Sequence, residues 1–312
     1  MKKTISKGIK IWRGYSWGDK LFLMTVYTVM ILVTIICVYP LFFTVIASVS
    51  DPNVVYTGKV FLLPKGFDLT SYKLVFQNKD IWTGYANTIF YTIVGTGYNL
   101  FLTIPAAYAL SKKNMYGRGV LTTFFLFTMY FGGGMIPTYI MMDKMNLLDT
   151  RLVLILSGGV SIYNVVVTRT YFSTNFPDEL GEAARIDGSN EFGIFIKMAI
   201  PLSAPIIAVM TLYYAVGHWN EYFNSMIYLR DSAKFPLQLV LRDILIGSQK
   251  AYESMQEAGV DGDILLDFAR RAKLAVTMKY SLVFIASAPM LILYPFIQKH
   301  FVKGIMVGSL KG

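Results

Sequence analysis

The chain alternates between long stretches almost free of charge and short stretches crowded with it. A helix needs about 20 mainly apolar residues to cross the hydrocarbon core of a bilayer. Six runs of that size stand between charged or turn residues: 21–47, 84–110, 119–142, 152–172, 202–229 and 276–298. The first contains no charge, and the second is interrupted late by Pro105. The third carries Gly132, Gly133, Gly134 and Pro137 near its far end, where neighbours or a cavity must satisfy the backbone. Those four residues read as a gate hinge or as a static kink. The fourth run ends close to Arg169, the fifth contains His218, Asn220 and Glu221, and the sixth has Lys279 near one mouth. This pattern predicts an all-α polytopic membrane protein with six transmembrane helices.

Composition agrees. Hydrophobic residues make up 54% and charged residues 15%, against about 25% charged in ordinary globular chains. No soluble fold covers that much apolar surface. One cysteine, Cys37, lies inside an apolar run and excludes a disulfide scaffold, while 21 Tyr and 22 Phe exclude disorder. A net charge of +10 would suggest nucleic-acid binding in a soluble protein. In a bilayer protein the sign is read loop by loop, and no nucleic-acid partner is expected.

Lys2, Lys3, Lys7, Lys10, Arg13 and Lys20 form a basic tail over 1–20. The run behind it is too long for a signal-peptide core and is followed by no clean cleavage site, so the tail is retained. The positive-inside rule places it in the cytoplasm, together with the 111–118 link, whose Lys112, Lys113 and Arg118 face no acid. The expected topology is N-in/C-in, with a six-span domain over 21–300 and a cytoplasmic tail over 301–312. Two extracytoplasmic loops follow, 48–83 and 230–275. The second, evenly charged, is a plain surface loop or a partner-docking surface.

Segment 173–201 carries complete local signals. Pro177 suits a first helical position, and Asp178 and Glu179 complement the positive end of the helix dipole. Leu180, Ala183 and Ala184 recur at helical spacing, small enough for another surface to approach. Gly188 fits the left-handed residue that ends such a helix, and Ser189 or Asn190 can cap the next. Phe192, Phe195, Ile196, Ala199 and Ile200 then form an apolar stripe, and Pro201 and Pro205 punctuate the entry to the fifth span. The expected structure is helix, glycine bend, helix, on the cytoplasmic side: a docking element or an inert interfacial pair.

Glu182-Ala183-Ala184, Asp187-Gly188, Ile200-Pro201-Leu202 and Pro205 resemble the EAA loop of permease subunits in ATP-binding-cassette importers. Asn87, Ala106-Ala-Tyr-Ala-Leu110, His218-Trp-Asn-Glu221 and the stretch from Gly304 to Gly312 are similar to the maltose-permease-like carbohydrate branch, and the likeness spans nearly all of 20–312. The resemblance implies a multi-pass subunit of the bacterial cell membrane that forms the path for an oligosaccharide or related complex carbohydrate. It implies four kinds of partner: a second, homologous permease in a heterodimer, two copies of an ATPase, an extracellular solute-binding protein and the lipid bilayer. ATP and magnesium would belong to the ATPase, with no cofactor or metal in this chain. The loop would be a coupling helix in which Glu182 pairs with a basic group of the ATPase, Ala183 and Ala184 allow close contact, Arg185 and Asp187 flank them, and Gly188 makes the bend. A short rigid helix moves as a unit, whereas a floppy loop would absorb the stroke.

Catalysis by the chain itself is not expected. Gly58-Lys59 lacks the upstream glycine of a phosphate-binding loop, no hydrolase or zinc motif appears, and His218 and His300 are the only histidines. Polar groups within spans are expensive and face the bundle interior. His218, Trp219, Asn220 and Glu221 are therefore candidates for lining a path, with Trp219 stacking on a sugar ring and Asn220 and Glu221 accepting hydroxyl hydrogen bonds. The alternative for Glu221 and His218 is that they pair with another span or hold the second permease. Asn87, Tyr91, Tyr98, Asn99 and Asn164 are further candidates, for which interhelical hydrogen bonding is the alternative. Two other functions fit the residues: import of another solute, such as a peptide, by the same mechanism, and ion-gradient transport with Glu221 and His218 as the ion site.

Overall fold

The computed structural model describes residues 15–257 and 273–292. Expectations for the first 14 residues, the middle of the 230–275 loop, the end of the sixth run and the 301–312 tail lie outside the described residues. The described residues form helices and contain no strand, only an isolated bridge between Ser50 and Phe67.

The helices are α1 (Trp17–Ser48), α2 (Pro52–Tyr56), α3 (Thr70–Gln77), α4 (Lys79–Ser111), α5 (Arg118–Tyr130), α6 (Met135–Lys144), α7 (Arg151–Leu156) and α8 (Ile162–Asn175). They continue as α9 (Asp178–Ile186), α10 (Glu191–Leu202), α11 (Ala204–Trp219), α12 (Phe223–Tyr228), α13 (Leu237–Glu257) and α14 (Lys273–Ile292). Among the described residues α1, α4 and α14 are long and apolar enough to cross a membrane. Two bent pairs, α5 with α6 and α10 with α11, bring the number to five.

Helix α4 is the mast of the bundle. It packs mainly on α11 and α8, and also on α13 and α7. Burying one apolar side chain against another gains little from water exclusion inside lipid, so packing and hydrogen bonds must hold the helices together. One cluster gathers Ile104, Ala107 and Tyr108 of α4 with Val165, Phe172 and Ile194. Toward the other end of α4, Tyr91 packs with Val153, Leu154 and Tyr228, and Ile81 with Leu237, Val240 and Leu282.

Three of the six runs are not continuous helices. Between α5 and α6 the chain turns by 112° at Gly132, Gly133 and Gly134. Gly134 adopts φ 85° with ψ 177°, a region open almost only to glycine. The fourth run is split into α7 and α8 by residues 157–161, because distant side chains take up the backbone groups freed there. Asn99 donates to the carbonyls of Gly158 and Gly159 at 2.7 and 2.9 Å, and the Ser161 N–H donates to the Tyr214 hydroxyl at 3.3 Å. The fifth run stops at Trp219 and resumes as α12, whose first turn is capped by Glu221 through the Asn224 N–H at 2.9 Å.

Candidate functional site

Helices α9 and α10 form an elbow at the foot of α4. Pro177 precedes α9 as its N-cap residue, Gly188 takes the left-handed conformation at φ 82°, and Asn190 caps α10 through the Gly193 N–H at 2.7 Å. Arg185 and Glu191 clamp the two helices at 2.7 Å, and this bond to Glu191 raises the Arg185 pKa. Arg185 is therefore spent inside the elbow.

The inner face of α9 seats it on its own chain. Ala184 is 5% exposed and belongs to the cluster with Tyr108, Phe172 and Ile194, and Gly181 is buried beside it. Ala184, expected to allow close contact with a partner, is turned inward and packs in the cluster that holds Tyr108 of α4 and Phe172 of α8. Glu182, Ala183 and Asp187 are exposed, and Ile186 stands 87% exposed beyond them. The stripe expected on α10 is also revised. A π turn over Phe195–Ala199 shifts the register, so Ile194, Phe195 and Ala199 are buried while Ile196 is exposed and Phe192 is 71% exposed.

The mount beneath the elbow is polar. Leu110, in the last turn of α4, accepts hydrogen bonds from Arg118 Nε at 3.0 Å and Arg169 Nε at 3.1 Å. Lys113 pairs with Asp178 at 3.1 Å. Lys112 rests its ammonium on the rings of Tyr108 and Phe176, 4.6 and 4.5 Å from their centroids. Burial lowers the Lys112 pKa, against the opposing pull of Glu191 and Asp178.

Along α4 the candidate polar residues bind protein groups. Asn99 Oδ1 lies 2.7 Å from His218 Nε2; since the Asn99 amide already donates twice, the imidazole is the donor. A Cβ at Gly95 would overlap that ring, so α4 leaves room for the imidazole only through a glycine one turn before Asn99. Asn87 donates to the Ala233 and Phe235 carbonyls at 2.8 and 3.1 Å, and Tyr91 to Lys234 at 2.8 Å. Tyr98 is half-buried with its ring edge against Gly159, and Asn164 is buried in the first turn of α8.

Trp219 is 5% exposed, donates its indole N–H to Ala286 at 2.9 Å and meets Tyr85 edge-on. Its ring meets Tyr85 of α4 and Ala286 of α14 and borders a cavity. Asn220 is exposed and lines, with Trp219, Leu41, Val45 and Ser287, a largely apolar cavity of about 480 Å³. Glu221 caps α12, and His218 bonds to Asn99 of α4, which is the alternative of pairing with another span.

Several functional-looking groups escape a reading of the sequence. Arg151, exposed at the start of α7, donates to Asn87 Oδ1 at 3.0 Å and sits over the Phe90 ring, with no ion pair among the described residues. Asp149 accepts from the Arg230 and Asp231 N–H groups at 3.1 Å each, which lower its pKa. Lys234 pairs with Asp149 and Asp231 at 3.3 Å each. Of the candidates read from the sequence, Asn87 and Tyr91 belong to this network, through Arg151 and the Lys234 carbonyl.

Residues 81–307 match the family described as the binding-protein-dependent transport system inner membrane component, and that stretch holds the mast from its third residue on, the elbow and the polar network. The chain belongs to that family. Among its relatives in the family, the polygalacturonan/rhamnogalacturonan transport system permease protein of Bacillus subtilis is 38% identical over 294 residues, covering 94% of this chain and 99% of the relative. An arabinooligosaccharides transport system permease protein of Halalkalibacterium halodurans is 28% identical over 285 residues, 90% of this chain and 93% of the relative. A solved bacterial ABC transporter involved in the import of the acidic polysaccharide alginate has a chain 33% identical to this one. It superposes with a TM-score of 0.80, covering 92% of this chain and 99% of that one. As a member of this inner membrane component family the chain is a membrane transport subunit.

Proposed function

We propose that the chain is one permease of an ATP-driven importer of complex carbohydrate and that its elbow takes the stroke of a separate ATPase on the cytoplasmic side. A second permease completes the path, and an extracellular solute-binding protein delivers the cargo. The observation that carries this reading is the two-faced elbow. Ala184 and Gly181 are buried on the inner face of α9, Ala184 within the cluster that holds Tyr108 of α4 and Phe172 of α8, while Glu182, Ala183 and Ile186 stay open on the opposite face. A push on the open face therefore moves the mast, since the clamp between Arg185 and Glu191 keeps the two elbow helices from folding independently. Charge reversal by Glu182→Lys is expected to lower ATP-dependent uptake by roughly tenfold or more, as a like-charge contact at an interface does, with the protein still inserted. Normal uptake by that variant, or uptake that survives ATP depletion and collapses with the ion gradient, would overturn the reading.

The cargo we infer is an acidic oligosaccharide. The polygalacturonan and alginate systems handle uronic-acid polymers by name, and Arg151 offers this chain an exposed guanidinium without a carboxylate partner among the described residues. A planar guanidinium matches a carboxylate in a two-pronged contact.

A further inference from the structure

A hollow of about 390 Å³ opens under the elbow, lined by Ser111, Lys112, Lys113 and Arg118 from the α4–α5 link and by Asp178 and Glu179 from α9. Three cations face two carboxylates there, and Asp178 is already paired with Lys113. Arg118 uses its Nε on the Leu110 carbonyl, which leaves the rest of its guanidinium toward the hollow. The Lys112 ammonium has neither a hydrogen bond nor an ion pair among the described residues; the faces of Tyr108 and Phe176 fix it from behind. Burial has lowered its pKa, so an anion in the hollow would restore what desolvation removed.

We propose that this hollow holds the phosphate of an anionic phospholipid from the cytoplasmic leaflet. Small inorganic anions need only the cations, but the surroundings favour a lipid. Arg118 is the first residue of α5, a helix with no buried residue, and Val120, Phe124 and Phe127 stand exposed above it as a bed for acyl chains. Tyr116 in the same link is fully exposed, the position at which aromatic side chains settle into the headgroup layer. Basic pockets between spans on the cytoplasmic side are the sites at which such headgroups bind. Because Lys112 Nζ also lies against Gly181, with a Cβ there only 3.8 Å away, a bound headgroup would stiffen the seat of the elbow and tie coupling to the lipid composition. This inference rests on the reading that places the elbow in the cytoplasm.

The test uses the full chain in its assembled transporter, purified in mild detergent and reconstituted with phosphatidylglycerol or phosphatidylcholine, with retained lipid counted by native mass spectrometry. Wild type is expected to retain phosphatidylglycerol selectively, and Lys112→Gln to retain about fivefold less, the factor expected for one cation near an anionic headgroup. Glu179→Gln, which removes the unpaired carboxylate, is expected to retain more and guards against a loss caused by misfolding. Equal retention of both lipids, unchanged retention in both variants, or displacement by millimolar inorganic phosphate would overturn the proposal. So would loss of the lipid whenever the ATPase is bound, because the partner would then cover the hollow. Glu182→Lys separates the two readings: it is expected to abolish coupling and leave lipid retention intact.

Discussion

Helices α4 and α5 are neighbours in sequence and both apolar, yet they do opposite things. Four polar side chains on the buried face of α4 fasten other segments to it: Asn87 and Tyr91 hold the 233–235 turn, Asn99 holds the break before α8, and Thr88 accepts the Leu237 N–H at 2.8 Å. Helix α5 buries no residue, and the bend after it sends α6 away from its axis by 112°. Mean apolarity does not separate a mast from an outrigger. What separates them is small residues set beside hydrogen-bonding ones, which let a second backbone approach and then hold it there.

The contrast breaks most readily at Gly95. Gly95→Val is expected to lower stability by about 1–3 kcal/mol, since the added side chain must expel an imidazole held by Asn99. Thermal unfolding in detergent reads this, and a wild-type transition would show that the ring moves aside freely. Asn99→Leu comes next at about 1–2 kcal/mol, because it strands the Gly158 and Gly159 carbonyls and the His218 N–H together. Its signature is faster proteolysis between α7 and α8, and a resistant variant would mean water replaces the amide.

Asp149 gives a pH-dependent and smaller effect. Its folded pKa is depressed by the Asp231 and Arg230 N–H groups. Its contribution is thus present above the ordinary carboxylate value and drains away as the pH falls from about 4 through the folded value. Asp149→Asn should flatten that acid limb, and an unchanged limb would assign it to other carboxylates. Smallest of all should be Phe127→Ala on α5, within about 0.5 kcal/mol for the chain by itself. Thermal unfolding reads it, and a loss of about 1 kcal/mol or more would show that α5 packs on the rest of the chain after all.

Much of this architecture was legible in the residues alone. The elbow could be read because Pro177, Gly188 and Asn190 act locally, within one turn of where they sit. Its two faces could not. Ala183 and Ala184 look alike in a sequence, and only the packing of Tyr108 and Phe172 decides that Ala184 points inward. The π turn at Phe195–Ala199 is likewise a tertiary outcome that moves every later residue around the helix. Runs four and five read as single helices because hydropathy averages over their breaks, which are satisfied from 50 or more residues away by Asn99 and Tyr214 in run four and locally by Glu221 in run five. Trp219 shows the same limit: an indole within a span reads as a platform for a ring, yet here its N–H is consumed by Ala286.

The attachment of α1 has a consequence of its own. Its burial is confined to Ile46, Ala47 and Ser48, and it is tethered there by the hydroxyls of Tyr72 and Ser281 on Ser48. Helix α1 is thus a pendant, fastened near one end, so that a substitution in its first half should leave the seat of the mast undisturbed.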